Sequence, residues 1–165
     1  MNWDAIGAIG EVAGAIGVIV TLIYLATQIR QSNELSRSES RQALVANDVT
    51  SLTANIELAD VFARLVSEGE LSKQDQLRLS FMFSLDLRNR EFEYFQYTSG
   101  LLDENVWLAY RQVILVNHST KIGRIWWEEI GRGLVDPGFA KLVDELLVDA
   151  QPDETYKKMA TWANK

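Results

Sequence analysis

Hydrophobic and polar positions change character twice along this chain. From Ala5 to Ala26 the residues are almost continuously apolar, with Glu11 the only charge and Thr21 the only small polar residue. The next stretch, "QSNELSRSESRQ", is polar nearly all round, and Leu35 is its only large apolar residue. From about Val45 onward apolar residues return at helical spacing. No β-branched run alternates with period two over a useful length, so no sheet is expected. The pattern predicts an all-α chain in three parts: an anchor helix at 1–30, a polar helical stalk or linker at 31–44, and a helical domain at 45–165.

Punctuation within the last part sets the helices. Ser72 with Asp75 makes a capping box, opening a helix that meets no breaker until Gly100, a natural C′ residue. Asp103 can cap the next helix, which ends near Ser119. Lys121 to Ile130 forms a short helix closed by "GRG". Asp136 as N-cap with Pro137 at N1 starts another, and Pro152 starts a terminal one. Helices of this length with short joints predict an antiparallel bundle. No Pro or Gly lies between Val18 and Glu68, so one long helix is permitted there, with Val45, Val49, Leu52 and Ile56 expected to pack on the domain's own helices.

The first segment matches a membrane span. Twenty-two helical residues reach roughly 33 Å, against a hydrocarbon core of about 30 Å. Its Ile, Val and Leu residues contribute roughly −3 to −6 kcal/mol of insertion. Glu11 would offset about half of that at mid-bilayer, but it lies nearer one end and can snorkel outward. Trp3 and Tyr24 sit where amphipathic rings favour the interface. The opening "MNWD" is acidic, and no small-x-small site precedes a polar start, which argues against a cleaved signal peptide. A buried helix of a soluble protein remains the competing reading. Arg30, Arg37 and Arg41 follow the span while Asp4 precedes it. The positive-inside rule then leaves the N-terminus outside and the helical domain in the cytoplasm.

Within this span Gly7, Gly10, Gly14 and Gly17 are spaced 3, 4, 3 and fall on one seam. Small residues on one stripe let a second backbone approach closely, which is how membrane helices associate when lipid removes the hydrophobic driving force. Glu11 flanks the seam and can hydrogen-bond across it. The same register runs on through Thr21, Tyr24, Gln28 and Leu35 to Val45, Val49, Leu52 and Ile56. Its polar middle speaks against a continuous coiled coil.

Composition narrows the chemistry. A net charge of −7 with no basic face makes nucleic acid an unsuitable partner. The absence of cysteine excludes disulfides and thiol catalysis, and a single histidine, His118, excludes a histidine metal cage. His118 is expected to cap a helix end or face solvent. Glycines in "GAIGEVAG" follow no strand and do not form a nucleotide loop. No metal or cofactor is implied.

Two further places carry candidate function. "LDLRNREFEYFQY" places Asp86, Arg88, Arg90, Glu91 and Glu93 on one apolar helix. Asp86–Arg90 and Asn89–Glu93 are i,i+4 partners there, and buried charges must be paired. The expectation is either ordinary ion pairs or a polar pocket around Arg88 and Glu91. The second place is Trp126–Trp127, whose rings face about 100° apart on a helix. One is expected in the core. The other should lie at the membrane surface, on a partner, or packed under the C-terminal helix.

The segments "WDAIGAIGEVAGAIGVIVTLIYLATQIRQS", "LRNREFEYFQYTSGLLDENVW" and "RIWWEE" give a layout that resembles a widespread group of uncharacterised bacterial proteins of similar length. The resemblance implies a single-pass, N-terminally anchored helical protein, and it implies no activity, substrate or catalytic residue. The glycine seam with Glu11 beside it makes assembly in the lipid bilayer of the bacterial inner membrane the expected function, as a homo-oligomer or an accessory subunit of a larger membrane complex, rather than catalysis. An ion-conducting oligomer ringed by Glu11 is the alternative from another class.

Overall fold

The computed structural model describes residues 2–67 and 69–164 and is all-helical over them. Seven α-helices follow in order: α1 Trp3–Glu57, α2 Ala59–Val66, α3 Lys73–Thr98, α4 Glu104–His118, α5 Lys121–Glu129, α6 Pro137–Val148 and α7 Thr155–Thr161. Short 3-10 turns at Gly131–Leu134 and Trp162–Asn164 follow α5 and α7. The chain divides into two units, residues 1–39 and 40–165. Among its described residues the first is helix from Trp3 onward, with one stretch apolar and long enough to cross a membrane and none of that stretch buried. The polar stretch 31–44 is helical throughout.

In the second unit α3 packs against α4, α4 against α5 and α6, and α2 against α7. The core is built from Leu79, Met82, Phe83 and Leu87 of α3, Trp107 and Ile114 of α4, Trp126 and Trp127 of α5, and Phe139, Val143 and Leu147 of α6. Leu44 of α1 and Val61 of α2 join it.

Local sequence accounts for several helix ends. The Ser72 hydroxyl accepts from the Asp75 amide at 3.1 Å while the Asp75 carboxylate accepts from the Ser72 amide, completing the capping box. At the other end of α3, Gly100 takes φ +73°, its amide donating to the Tyr97 carbonyl and that of Leu101 to Gln96. This double bond is a Schellman closure, and the left-handed position favours glycine. The Asp136 carboxylate accepts from the Gly138 and Phe139 amides, with Pro137 in the first turn of α6. Arg124 of α5 closes the other end of α6. Its guanidinium donates to the carbonyls of Leu147 and Ala150 at 2.9 and 2.6 Å, where a cation suits the helix C-terminus.

Four expectations are corrected. The long helix stops at Glu57, with neither Pro nor Gly to stop it, because Arg78 of α3 donates to the Glu57 carbonyl at 2.8 Å and Leu58 turns into the core. Asp103 occupies the N-cap position of α4 without making a cap bond; its carboxylate lies 3.5 Å from Arg41 instead. Pro152 does not open α7, which begins at Thr155 after the Asp153 carboxylate accepts the Thr155 amide. Last, Val45, Val49, Leu52 and Ile56 do not pack on the domain: they are 61, 58, 62 and 74% exposed. The side of α1 that is buried carries Ser40, Leu44 and Ser51.

Gly123 marks the tightest approach in the domain. A Cβ there would lie 2.0 Å from the Asn117 carbonyl oxygen and 2.8 Å from the His118 Cα, both backbone atoms that cannot rotate aside. Gly123→Ala should cost about 2 kcal/mol or more, whereas Gly133→Ala, with nothing within 4 Å of the added carbon, should cost far less. Chemical denaturation of the two variants side by side checks the contrast.

Candidate functional site

The glycine face of α1 is open. A Cβ built on Gly7, Gly10, Gly14 or Gly17 would meet nothing within 4 Å, and Glu11 beside them is exposed. The surrounding Ile6, Ile9, Val12, Ile16, Val18, Ile19 and Val20 are all more than half exposed. Thr21 turns its hydroxyl back onto the Gly17 carbonyl at 2.8 Å, so it presents only a methyl group. Thr27 does the same to Tyr24 at 2.7 Å. The face can therefore meet an apolar medium or a second helix without stranding a hydroxyl.

The charged run on α3 separates into two sets. Arg88 and Glu91 form a rim pair at 2.7 Å, with Arg88 largely exposed and Glu91 buried. Glu91 also accepts the Asp136 amide, fastening the start of α6 to α3. The deeper set centres on Arg90, whose side chain is 3% exposed. Its guanidinium lies 3.1 Å from Glu93, 3.3 Å from Asp48 of α1 and 3.8 Å from Asp86, with the Tyr110 ring 4.9 Å away. Tyr110 donates to Asp48 at 2.9 Å and Asn117 to Asp86 at 2.6 Å, while Tyr156 of α7 donates to Asn117. The expected Asn89–Glu93 pair is not made; Asn89 donates across to Ser51 of α1 at 2.7 Å.

Three carboxyl groups thus share one guanidinium. Burial pushes Glu93 up to about 8 against the pull of Arg90, with Asp48 and Asp86 adding to the rise. Burial also raises Asp86, and it raises the Tyr110 phenol to about 12, helped by Asp48. Glu93 approaches Arg90 closely, but neither of its oxygens has an aligned hydrogen bond. A protonated Glu93 at neutral pH lessens the negative charge gathered around Arg90. Among the described residues, no group of three or more His, Asp or Glu side chains is arranged to hold a metal ion.

His118 is fully buried, neither a cap nor solvated. It stacks on Trp126 at 5.5 Å and 17°, with Phe83 and Trp127 against it, and neither ring nitrogen makes an aligned hydrogen bond. Burial lowers it to about 4, outweighing the Gly123 backbone nearby, so it is neutral and serves as an aromatic core residue. Both tryptophans are buried rather than interfacial. The Trp126 indole donates to Ser80 at 2.8 Å, and that of Trp127 reaches Asp144 of α6 at 2.9 Å, so the second ring lies under a C-terminal helix. Outside Trp126, an apolar groove of about 780 Å³ runs between α3 and α5, lined by Leu77, Phe83, Ile125 and Ile130, with Lys73 and Glu129 also on its wall.

Sequence reasoning picked out the five charges of α3 but missed Asp48, Tyr110, Asn117 and Tyr156, which complete the network. Each comes from another helix, 31 to 62 residues from its partner in the chain for the first three, and no local signal marks them. Comparison with protein-family models, curated proteins and solved structures finds no match to this chain. The class is therefore defined by the structure: an all-helical protein with one N-terminal helix long and apolar enough to span a membrane.

The network makes stability depend on pH in a definite sense. Folded Glu93 holds its proton to about pH 8, and unfolded Glu93 releases it near 4.5. Between those values the folded state binds the extra proton, so this contribution is full below 4.5 and is lost as pH rises to 8. His118 acts at the other side: its contribution is full above 6.5 and is lost as pH falls to about 4. From pH 6.5 to 8 Glu93 should remove about 2 kcal/mol. Glu93→Gln should flatten that decline and exceed the wild type in stability at pH 8, as read by denaturation of the detergent-solubilised chain.

Proposed function

We propose that this chain is a single-pass protein of a bacterial inner membrane that works by assembly, as a homo-oligomer or an accessory subunit of a larger membrane complex. One observation carries the reading: an apolar N-terminal stretch of α1, none of it buried, with four glycines on one side that no side chain approaches. Lipid covers the general apolar surface of such a helix. The glycine side has little to offer lipid, because it lacks the side chains that fill the space between acyl chains, and it is shaped for another backbone instead. Glu11 sits at its flank, where a second helix supplies a hydrogen-bond partner that hydrocarbon does not. The helical domain lies on the cytoplasmic side, following the arginines after the span.

Gly14→Leu should abolish or sharply weaken association while leaving membrane insertion intact. Native mass spectrometry of gently extracted complexes reads the result, and an unchanged oligomer mass would sink the proposal. Orientation has its own test, made simple by a chain without cysteine. Asn2→Cys should react with an impermeant thiol reagent added outside the cell. Ser99→Cys, exposed on the helical domain, should react only after the membrane is opened. The reverse pattern would invert the assigned topology.

A further inference from the structure

Within the second unit, α1 is turned the wrong way round for a helix packing on its own domain. Its inward side is largely polar: Ser40 donates to Gln96 at 2.9 Å, Ser51 accepts from Asn89, and Asp48 meets Arg90 and Tyr110. Its outward side carries Val45, Val49, Leu52 and Ile56, all well over half exposed. Thr50 and Thr53 beside them donate back to the carbonyls of Ala46 and Val49 at 3.0 and 2.8 Å, so they add methyl groups and no free hydroxyl to that side. Between Gln42 and Ile56 the exposed residues bear no charge. An apolar stripe of this kind is covered in the working state.

We infer that this stripe pairs in parallel with the same stripe of a second copy of the chain. The spacing 4, 3, 4 makes Val49 and Ile56 a positions and Val45 and Leu52 d positions of a heptad. β-Branched residues at a with Leu at d favour two parallel strands; Val49, Leu52 and Ile56 follow that pattern, and Val45 fills the first d position. A parallel pair with two-fold symmetry sets each residue against its own counterpart, so the stripe is complementary to itself. The flanking e positions are Ala46 and Thr53, and the g positions Asp48 and Asn55. In a parallel pair Asp48 faces Thr53, so no like charges oppose one another across the seam, although the chain as a whole carries −7. Roughly 17 Å of seam is too short to hold two free chains together. The inference therefore rests on the membrane-assembly reading, in which neighbouring spans raise the effective concentration to the order of millimolar.

Single cysteines in the full-length, otherwise cysteine-free chain test it in native membranes under mild oxidation. Val49→Cys and Leu52→Cys should give disulfide-linked dimers at least several-fold faster than Thr50→Cys, which lies beside the seam but faces away from it. Equal rates at the three positions would overturn the inference, as would crosslinking of Val49→Cys to a chain of different mass. The oligomer mass of Gly14→Leu separates this result from the membrane reading. Loss of mass in that variant with no preference for Val49 leaves the glycine seam standing and removes the cytoplasmic pair. Preferential Val49 crosslinking with unchanged mass in Gly14→Leu keeps the pair and removes the glycine seam.

Discussion

Arg90 is the constraint on which the helical domain depends. A guanidinium that is 3% exposed cannot shed its charge, so the fold must bring carboxylates to it. It draws Asp48 from α1, keeps Asp86 and Glu93 on its own helix, and holds Tyr110 of α4 over its face. Through Asp86 the network extends to Asn117 and Tyr156, reaching the ends of α4 and α7. Four helices are therefore tied by polar contacts that have direction, around a core of Leu, Phe and Trp side chains that supplies most of the burial. Removing the cation would strand two or three acids in low dielectric, a far larger disturbance than removing any one of the acids, since Glu93 already relieves the excess negative charge by holding a proton.

What was legible in the sequence was local. The capping box at Ser72, the glycine closure at Gly100 and the Asp136–Pro137 start each depend on residues within five positions of one another, and each stands in the structure. What was not legible depends on partners distant in the chain. The break at Leu58 needs Arg78, 21 residues on from Glu57. Asp48 looks like any surface acid until Arg90 lies beside it. The histidine at the end of α4 gives no sign of burial, because its cover comes from Phe83 and the two tryptophans of other helices. Capping propensity also misled at Asp103, where an exposed arginine competes for the carboxylate.

The most informative disagreement concerns α1. Periodicity identifies an apolar stripe correctly but does not say which way it faces. The usual assumption, that the stripe faces the protein's own core, is a statement about monomers. Here the domain selects the polar side of the helix through Ser40, Asp48 and Ser51, and Leu44 is the one large apolar side chain of α1 that it buries fully. An apolar stripe left in water costs free energy that a simple rotation of the helix would recover. Its persistence means that the polar contacts outweigh that gain, or that the stripe is covered elsewhere.

These two conditions reinforce each other. A helix docked only through apolar contacts can rotate or slide by a fraction of a turn at small cost, because dispersion has little direction. Hydrogen bonds from Asn89 to Ser51 and from Tyr110 to Asp48, with the ion pair to Arg90, do not tolerate such a shift. They set the rotation of α1 about its own axis, and with it the direction in which Val45, Val49, Leu52 and Ile56 point. A surface that must match a second helix gains from being held in one orientation beforehand, because less freedom is then lost on pairing. The buried charge cluster is in this sense the rear support of the exposed face: the same residues that make the domain's interior expensive to rearrange keep its apolar stripe turned outward.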